Sequence, residues 1–411
     1  MRSAGLLRRT VAVAAAAAFV LVGCTPGPTA GPSVPPSPAA STAPVAPPSP
    51  STTPEPSSSP EPSPTVREVP RVAVTSVTDV VTGLDAPWGL ALLPDGTALV
   101  TERDTGDVLL LRLDDGEQRG SVVTVEGPGA RDVRDAVRPD SEGGLLGIAV
   151  SPGYASDATV FVYLTAAKDN RVLRMRLEPS ADGADLTAAT VILDGIPKGP
   201  NHNGGRLAFG PDGYLYVTTG DVYDTALAPD PGSLGGKILR ITPDGDPAPG
   251  NPDPESPVWS SGHRNVQGIG WALDGRMFAS EFGQDTWDEL NEIEAGGDYG
   301  WPGVEGEGGG EGVVDPLVVW STDEASPSGL AVTDEGVYLA GLRGRTLWRV
   351  PFDGDGAGAP QPLLRDEHGR LRTVVEAPDG ALWVTTSNTD GRGRPAAGDD
   401  RILRVVVEPA G

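Results

Sequence analysis

In a chain of 411 residues with only three histidines, one stands in "GPNHNGGRLAFGPDGYLYVTTGD", flanked by Asn201 and Asn203 and followed by paired glycines. An imidazole titrates near neutrality and suits proton transfer, so His202 is either a base or a hydrogen-bonded residue that finishes a turn. Other polar groups recur at comparable places. Glu142 precedes "GGLLGIAV", His263-Arg264-Asn265-Val266-Gln267 precedes "GIGWALDG", Asp323, Glu324 and Ser326 precede "GLAVTDEG", and His368, Arg370 and Arg372 precede "TVVEAPDG". Connections that needed only solubility would scatter Lys and Glu. These instead offer His, Arg, Asn and Glu in one phase of a repeat, which implies a shared polar pocket.

The elements that must position these groups follow from the repeat itself. Its copies are "GLALLPDGTALVTE" from Gly89, "GIAVSPGYASDATVFVYLT" from Gly147, "RLAFGPDGYLYVTTG" from Arg206, "GIGWALDGRMFASE" from Gly268, "GLAVTDEGVYLAG" from Gly329 and "TVVEAPDGALWVTTS" from Thr373. Asp-Gly between two alternating apolar runs signals a β-hairpin, because glycine supplies positive φ without a Cβ penalty. Further strand-like text follows, such as "GDVLLLRL", "NRVLRMRL", "GGKILRIT", "RTLWRV" and "RILRVVV". Six such units predict an all-β fold, a six-bladed β-propeller of four-stranded antiparallel sheets. A two-sheet sandwich would leave the sixfold recurrence unexplained. Equivalent residues of different blades then converge on one end of the central axis, where the polar groups named above would meet.

Composition limits what such a pocket can serve. Lys and Arg number 31 against 57 Asp and Glu, a formal net charge of −26, which argues against nucleic acid and anionic lipid headgroups as partners. Neutral molecules or cations remain. The single cysteine, Cys24, excludes an intramolecular disulfide and any Cys-rich metal motif. It ends "MRSAGLLRRTVAVAAAAAFVLVGC", where a positively charged start, an apolar run and Leu21-Val22-Gly23-Cys24 resemble a bacterial lipoprotein signal, cut before a lipid-modified cysteine. The alternative is an ordinary signal peptide with a chance cysteine. The domain organisation expected is therefore a signal peptide over residues 1–23 and a lipid-anchored Pro/Ser/Thr-rich linker over 24–69. The propeller takes up 70–411. Export and anchoring at the outer face of the cell membrane through Cys24 follow, with the linker reaching on the order of 100 Å if extended.

Five stretches in order, "EGGLLGIAVSPGY", "NHNGGRLAFGPDGYLYVTTGD", "SLGGKILRITPDG", "SSGHRNVQGIGW" and "SEFGQDTWDELNEIEAGGDYGWP", resemble the glucose/sorbosone dehydrogenase family. Its members are soluble aldose sugar dehydrogenases that use pyrroloquinoline quinone (PQQ) on a six-bladed propeller. The resemblance implies oxidation of the anomeric hydroxyl of an aldose to a lactone, with electrons passed to an external acceptor. By the same resemblance His202 matches the general base, Glu142 a polar neighbour of base and cofactor, and Arg264 the arginine at the quinone oxygens. Asn265, Arg343, Arg370 and Arg372 fall at cofactor-binding positions. Calcium (Ca2+) is implied at the main chain of Gly283 and Gln284, and a structural calcium near Asp288, Glu289 and Tyr299, whose alternative is a solvated acidic turn. The chain departs from the family in three places. Asn201 precedes the base where some members have aspartate, Val222 follows Thr-Gly-Asp where a polar side chain is expected, and no ring in "WSTDEASPSG" stacks obviously on PQQ unless Trp320 does. Two other classes stay open: a non-catalytic propeller that binds carbohydrate or protein, and a calcium-dependent lactone hydrolase, which would need acidic ligands from several blades on the axis.

Overall fold

The computed structural model describes residues 69–114, 119–181 and 183–410. The signal-peptide and Cys24 readings, and all but the last residue of the linker, lie outside the described residues.

Six antiparallel sheets form six blades. Their innermost strands are Pro87–Leu92, Leu145–Val150, Leu207–Phe209, Val266–Trp271, Pro327–Thr333 and Leu371–Glu376, one in each repeat read from the sequence. Each touches the next around a ring, and Leu371–Glu376 returns to Pro87–Leu92. The third strands carry the text that follows each hairpin, such as Val108–Leu113 and Asn170–Ser180. The sixth blade is completed by the other end of the chain: Val72–Thr82 pairs antiparallel with Arg401–Pro409 as its outermost strand.

The hairpin turns form as their sequence dictates. Asp95, Asp212, Asp274 and Asp379 each accept the N–H two residues on, at 3.0, 3.2, 3.0 and 3.2 Å, and the intervening Gly96, Gly213, Gly275 and Gly380 hold φ between 78° and 94°. Aspartate closes the turn and glycine takes the left-handed backbone.

The core is divided among the interfaces between blades. Alternate residues of one strand serve different neighbours, since successive side chains leave opposite faces. In Ala98–Glu102, Leu99 packs with Ile148, Val160 and Val162 of the second blade, while Ala98 and Val100 pack with Trp383 and Ile402 of the sixth. Similar clusters join blades two and three, three and four, four and five, and five and six, so the ring is closed by apolar contact throughout.

Five inner strands begin with an irregularity in pairing: between Pro87 and Leu90, Leu145 and Ile148, Val266 and Gly268, Pro327 and Leu330, and Leu371 and Thr373. A bulge leaves an extra residue unpaired and re-aims its side chain. Trp88, Gln267, Ser328 and Arg372 occupy these places and gather with Arg206 on the axis. The chain thereby floors the pocket with selected polar groups.

Candidate active site

Ahead of the inner strands the connecting loops surround a cavity of about 360 Å³. Of the residues grouped by repeat phase, Glu142, His202, Arg264, Asn265, Gln267, Ser326, Arg370 and Arg372 line it and His263, Asp323, Glu324 and His368 do not; Gly283, Gln284, Asp288 and Arg343, named on the family resemblance, line it too.

His202 is 4% exposed and sits at φ 55°, a conformation uncommon for a side chain with a Cβ. Several bonds hold it there. Its N–H donates to Glu142 Oε2 at 3.0 Å, and its carbonyl accepts from Val222 N–H at 3.3 Å. The loop can close over the second blade-three strand only because Gly204 and Gly220 lack side chains. A Cβ on Gly204 would come within 2.5 Å of Thr219 Cα, and one on Gly220 within 2.0 Å of the His202 carbonyl oxygen.

The imidazole's partners assign its tautomer. Nδ1 lies 2.6 Å from Asp221 Oδ1, and Nε2 lies 3.0 Å from Arg264 Nη2. Arginine can only donate, so Nε2 is the acceptor and Nδ1 carries the proton toward Asp221. The lone pair of Nε2 therefore belongs to the nitrogen on the Arg264 side. Burial alone would raise the pKa of Asp221, but hydrogen bonds from His202, from Tyr223 N–H at 3.0 Å and from Trp301 Nε1 at 2.9 Å hold it below the ordinary carboxylate value. Glu142 is likewise held low against burial, by Arg392 at 2.6 Å and by the His202 N–H.

The cations are fixed by their own bonds. Arg264 donates to Gln284 Oε1 from Nε and Nη2 at 3.1 and 2.6 Å and to the Phe282 carbonyl at 3.0 Å. Its main-chain N–H and that of Asn265 both reach Glu281 Oε1. Arg370 donates to Asp390 Oδ2 from Nε and Nη2 at 3.1 and 3.0 Å. Arg372 donates to Gln267 Oε1 at 2.9 Å, while its buried Nε has no partner among the described residues. Burial drives the Arg372 pKa down to about 9, against the pull of Asp390, so it remains a cation at neutral pH. Arg343 is an exposed rim residue paired with Asp323.

The acidic segment divides. Asp288 and Glu289 are neighbours in the strand Trp287–Ile293 and take opposite faces. Asp288 stays at the main cavity, accepting Gly283 N–H at 3.0 Å and Ser326 N–H at 2.6 Å; burial pushes its pKa up to about 6. Glu289 and Tyr299 instead line a separate small void with Glu281 and Glu305. Burial, and then the neighbouring Glu281 carboxyl, push the Glu289 pKa above the ordinary carboxylate range. Asp288 is thus parted from Glu289 and Tyr299, and the three do not form one cluster. Among the described residues no three His, Cys, Asp or Glu side chains gather to hold a metal ion, so a cation at either place would also need main-chain oxygens.

Trp320 does not reach the cavity. It lies on the outermost strand of blade four, 4% exposed, packed 5.8 Å from Trp348 in the core. His263 is a buried support, bonded to Ser260 and Glu281 and stacked on Tyr299. His368 lies outside the cavity lining.

Sequence reasoning missed Asp221, Trp301, Asp390 and Arg392, the partners of the base, Glu142 and the arginines. It also missed Tyr223, which is 57% exposed with its ring 4.0 Å from that of His202. Asp221 had a visible signal, an acid ending the strand that runs beside the histidine loop. Asp390 stands in the same relation to Arg370, 20 positions on, whereas Trp301 and Arg392 arrive from distant connections.

Comparison with known proteins agrees with this geometry. The sequence model of the family described as Glucose / Sorbosone dehydrogenase matches residues 84–403. The PQQ-bound form of an aldose sugar dehydrogenase from Streptomyces coelicolor is 54% identical, with a TM-score of 0.78, over 82% of this chain and 99% of that one. An aldose sugar dehydrogenase of Escherichia coli (strain K12) is 28% identical over 346 residues, 75% of this chain and 89% of that protein. Quinoprotein glucose dehydrogenase B of Acinetobacter calcoaceticus is 31% identical over 258 residues, 55% of this chain and 52% of its own length. Matched from the end of the first strand to the last, and carrying the same six-bladed propeller, this chain belongs to the glucose/sorbosone dehydrogenase family.

Proposed function

We propose that the protein is a PQQ-dependent aldose sugar dehydrogenase, which oxidises the anomeric hydroxyl of a sugar to a lactone and passes the electrons to an external acceptor. The observation that carries this reading is the His202 Nε2 lone pair, oriented by Asp221 from behind, at a cavity walled by arginines.

The cavity suits PQQ, a tricarboxylate. In a chain of net charge −26, Arg264, Arg343, Arg370 and Arg372 line one space, and the buried Arg372 Nε lacks a protein acceptor among the described residues. Arg264, Asn265, Arg370 and Arg372 would hold the cofactor, with Arg343 at the rim. PQQ, when bound, supplies the acceptor for the hydride that leaves the sugar carbon. Calcium would sit against the main chain of Gly283 and Gln284, an oxygen donor set of the kind it prefers. A structural calcium would take Glu289 and the main chain about Tyr299, where buried Glu281 adds negative charge.

The chain's own residues then divide the work. His202 Nε2 takes the hydroxyl proton, replacing its bond from Arg264 with one from the substrate, and the imidazolium so formed faces the Asp221 carboxylate. A positioned base contributes about 10²- to 10⁴-fold. Arg264, anchored by Gln284 and Phe282, stays in place to stabilise negative charge developing across the cavity. Glu142 fixes the loop that carries the base. The exposed ring of Tyr223 offers the apolar face of a sugar a platform beside it.

A lactone hydrolase would need acidic metal ligands on the axis, where this chain has Arg372 and Arg206. A purely binding propeller would have no use for the oriented imidazole. Export and lipid anchoring through Cys24 remain part of the proposal on sequence grounds. The test is dye-linked oxidation of an aldose panel by the protein, with PQQ and calcium added or withheld, beside His202→Ala. Turnover that requires PQQ and collapses in a variant that still binds it supports the assignment. A protein that neither binds PQQ nor turns over any aldose overturns it.

A further inference from the structure

The chain has three lysines, Lys168, Lys198 and Lys237, and arginine supplies its other cations. Only Lys237 is buried. It stands at the end of residues 222–236, the connection that leaves Asp221 and carries Tyr223 past His202. That connection is poorly held by its own side chains. Among them only Ala228 is buried and Leu234 packs partly on the core between blades two and three, while Tyr223 to Ala226 and Pro229 to Gly232 face solvent. It also starts under strain, since Val222 and Tyr223 take φ of 50° and 67°, a left-handed region that a β-branched residue rarely enters. Such a backbone persists only where its surroundings over-determine it.

Lys237 supplies the restraint. Its Nζ donates to the carbonyls of Leu227, Ala228 and Gly235 at 2.6, 2.7 and 2.9 Å, so all three N–H groups of the ammonium are used. Three acceptors drawn round one point suit a compact ammonium with rotatable donors, where the rigid planar fork of an arginine would not converge. No carboxylate pairs with it among the described residues. Asp230 and Asp298 act on it only from further off, and burial pushes its pKa down to about 8, which leaves it largely protonated at neutral pH. A buried charge must find its compensation nearby, and here the main chain of one loop provides it. The loop is joined to the site at both sides. Gly236 N–H donates to the Gly220 carbonyl at 2.9 Å, beside Asp221, while the Ala228 and Gly236 carbonyls accept Gly262 N–H at 3.1 Å and His263 N–H at 3.2 Å, just ahead of Arg264.

We propose that Lys237 is a positioning residue for the sugar: its ammonium draws residues 222–236 into a fixed wall and so holds the Tyr223 ring beside His202. The inference rests on the dehydrogenase reading above, in which that ring is the sugar's platform. Lys237 lines neither the cavity nor its mouth, so its effect falls on substrate binding and spares the chemical step. Arg264 has its own anchors in Gln284, Phe282 and Glu281, so the hold on PQQ does not depend on the loop.

The test uses the full chain loaded with PQQ. Lys237→Met keeps most of the stem and removes the ammonium. Hydrogen exchange read by mass spectrometry should quicken about tenfold or more at Asp224, Leu227 and Gly236, whose N–H groups are bonded within the loop or to its base. KM for the best aldose should rise about three- to tenfold, the scale of a displaced ring contact, with kcat and PQQ affinity within about twofold of wild type. In a Tyr223→Ala background the same substitution should leave KM unchanged, because residues that act through one contact are not additive. Equal increments of KM in both backgrounds, a fall in kcat at constant KM, or unchanged exchange would overturn the proposal. Should Lys237→Met fail to fold, Gly235→Ala decides. A Cβ there comes within 3.1 Å of Leu227 Cδ1 and 3.2 Å of the Gly220 carbonyl oxygen, which spreads two of the three carbonyls without touching Lys237. Exchange and KM should both rise, by less; values equal to wild type would overturn the proposal. A protein that oxidised no aldose would overturn the dehydrogenase reading and the sugar's part in this one together, whereas an active Lys237→Met enzyme with unchanged exchange would overturn the tie alone, so the two failures are told apart.

Discussion

Asp221→Asn separates the orientation of His202 from its presence. The carboxylate accepts three N–H groups: His202 Nδ1 and Tyr223 N on Oδ1, and Trp301 Nε1 on Oδ2. An asparagine has one acceptor oxygen for these. With that oxygen toward His202, the amide NH₂ opposes the Trp301 N–H; with it toward Trp301, the NH₂ faces the ring and forces the proton to Nε2, which disables the base. In either rotamer the negative charge that stabilises the imidazolium is gone. Asp221 is buried, so that loss is little screened. With charge centres about 4 Å apart and an effective dielectric near 20, the attraction is ~4 kcal/mol. At ~1.4 kcal/mol per decade this lowers kcat about 10³-fold. The assay is steady-state oxidation of the best aldose at saturating PQQ, with PQQ affinity followed separately. A kcat within tenfold of wild type, with PQQ bound normally, would refute the view that Asp221 sets the tautomer and charge of the base.

Three other perturbations read different parts of the site. Tyr223→Ala should raise KM about three- to tenfold with kcat nearly constant, the scale of one lost ring contact, and Tyr223→Trp should restore it; a fall in kcat at constant KM would rule out a substrate platform. Arg372→Met should weaken PQQ about ten- to a hundredfold, the worth of a buried charge-assisted hydrogen bond, whereas exposed Arg343→Met should change it less than about threefold; equal effects in titrations of quinone absorbance would contradict the burial argument. Asp221 and Asp390 both have folded-state pKa values below their unfolded ones. Their contribution to stability is therefore complete above about pH 4 and is lost as pH falls through the lower folded values. Urea midpoints should drop across that acid range, and less steeply for Asp390→Asn; identical slopes would show that Asp390 carries no such linkage.

The propeller was legible because its signal is local and repeated. Each Asp-Gly turn is closed by its own aspartate and glycine, and each flanking strand alternates, so six copies report one fold without any knowledge of what pairs at long range. Closure was not legible: Val72–Thr82 pairs with Arg401–Pro409 across nearly the whole described chain, and no local pattern distinguishes an outermost strand from any other. The site divides along the same line. Repeat phase placed Glu142, His202, Arg264 and Arg370 at one blade end, and the acids that orient such residues recur 18 to 20 positions on, as in His202–Asp221, His263–Glu281 and Arg370–Asp390, a spacing that shows only once the residues are paired. Trp301 and Arg392 were hidden in a different way, since they reach Asp221 and Glu142 from loops 80 and 250 positions away. The axis shows a third case, in which a regular pattern misleads. In "LRTVVE" strict alternation gives Arg372 the face of Val374, yet the irregular pairing between Leu371 and Thr373 breaks that alternation and turns the arginine onto the axis. The same device places Gln267 and Ser328 against it. One extra residue in five of the six inner strands thus lets a fold whose blades repeat carry a floor whose side chains do not. That is how a nearly symmetric scaffold presents a single, asymmetric pocket to one cofactor and one sugar.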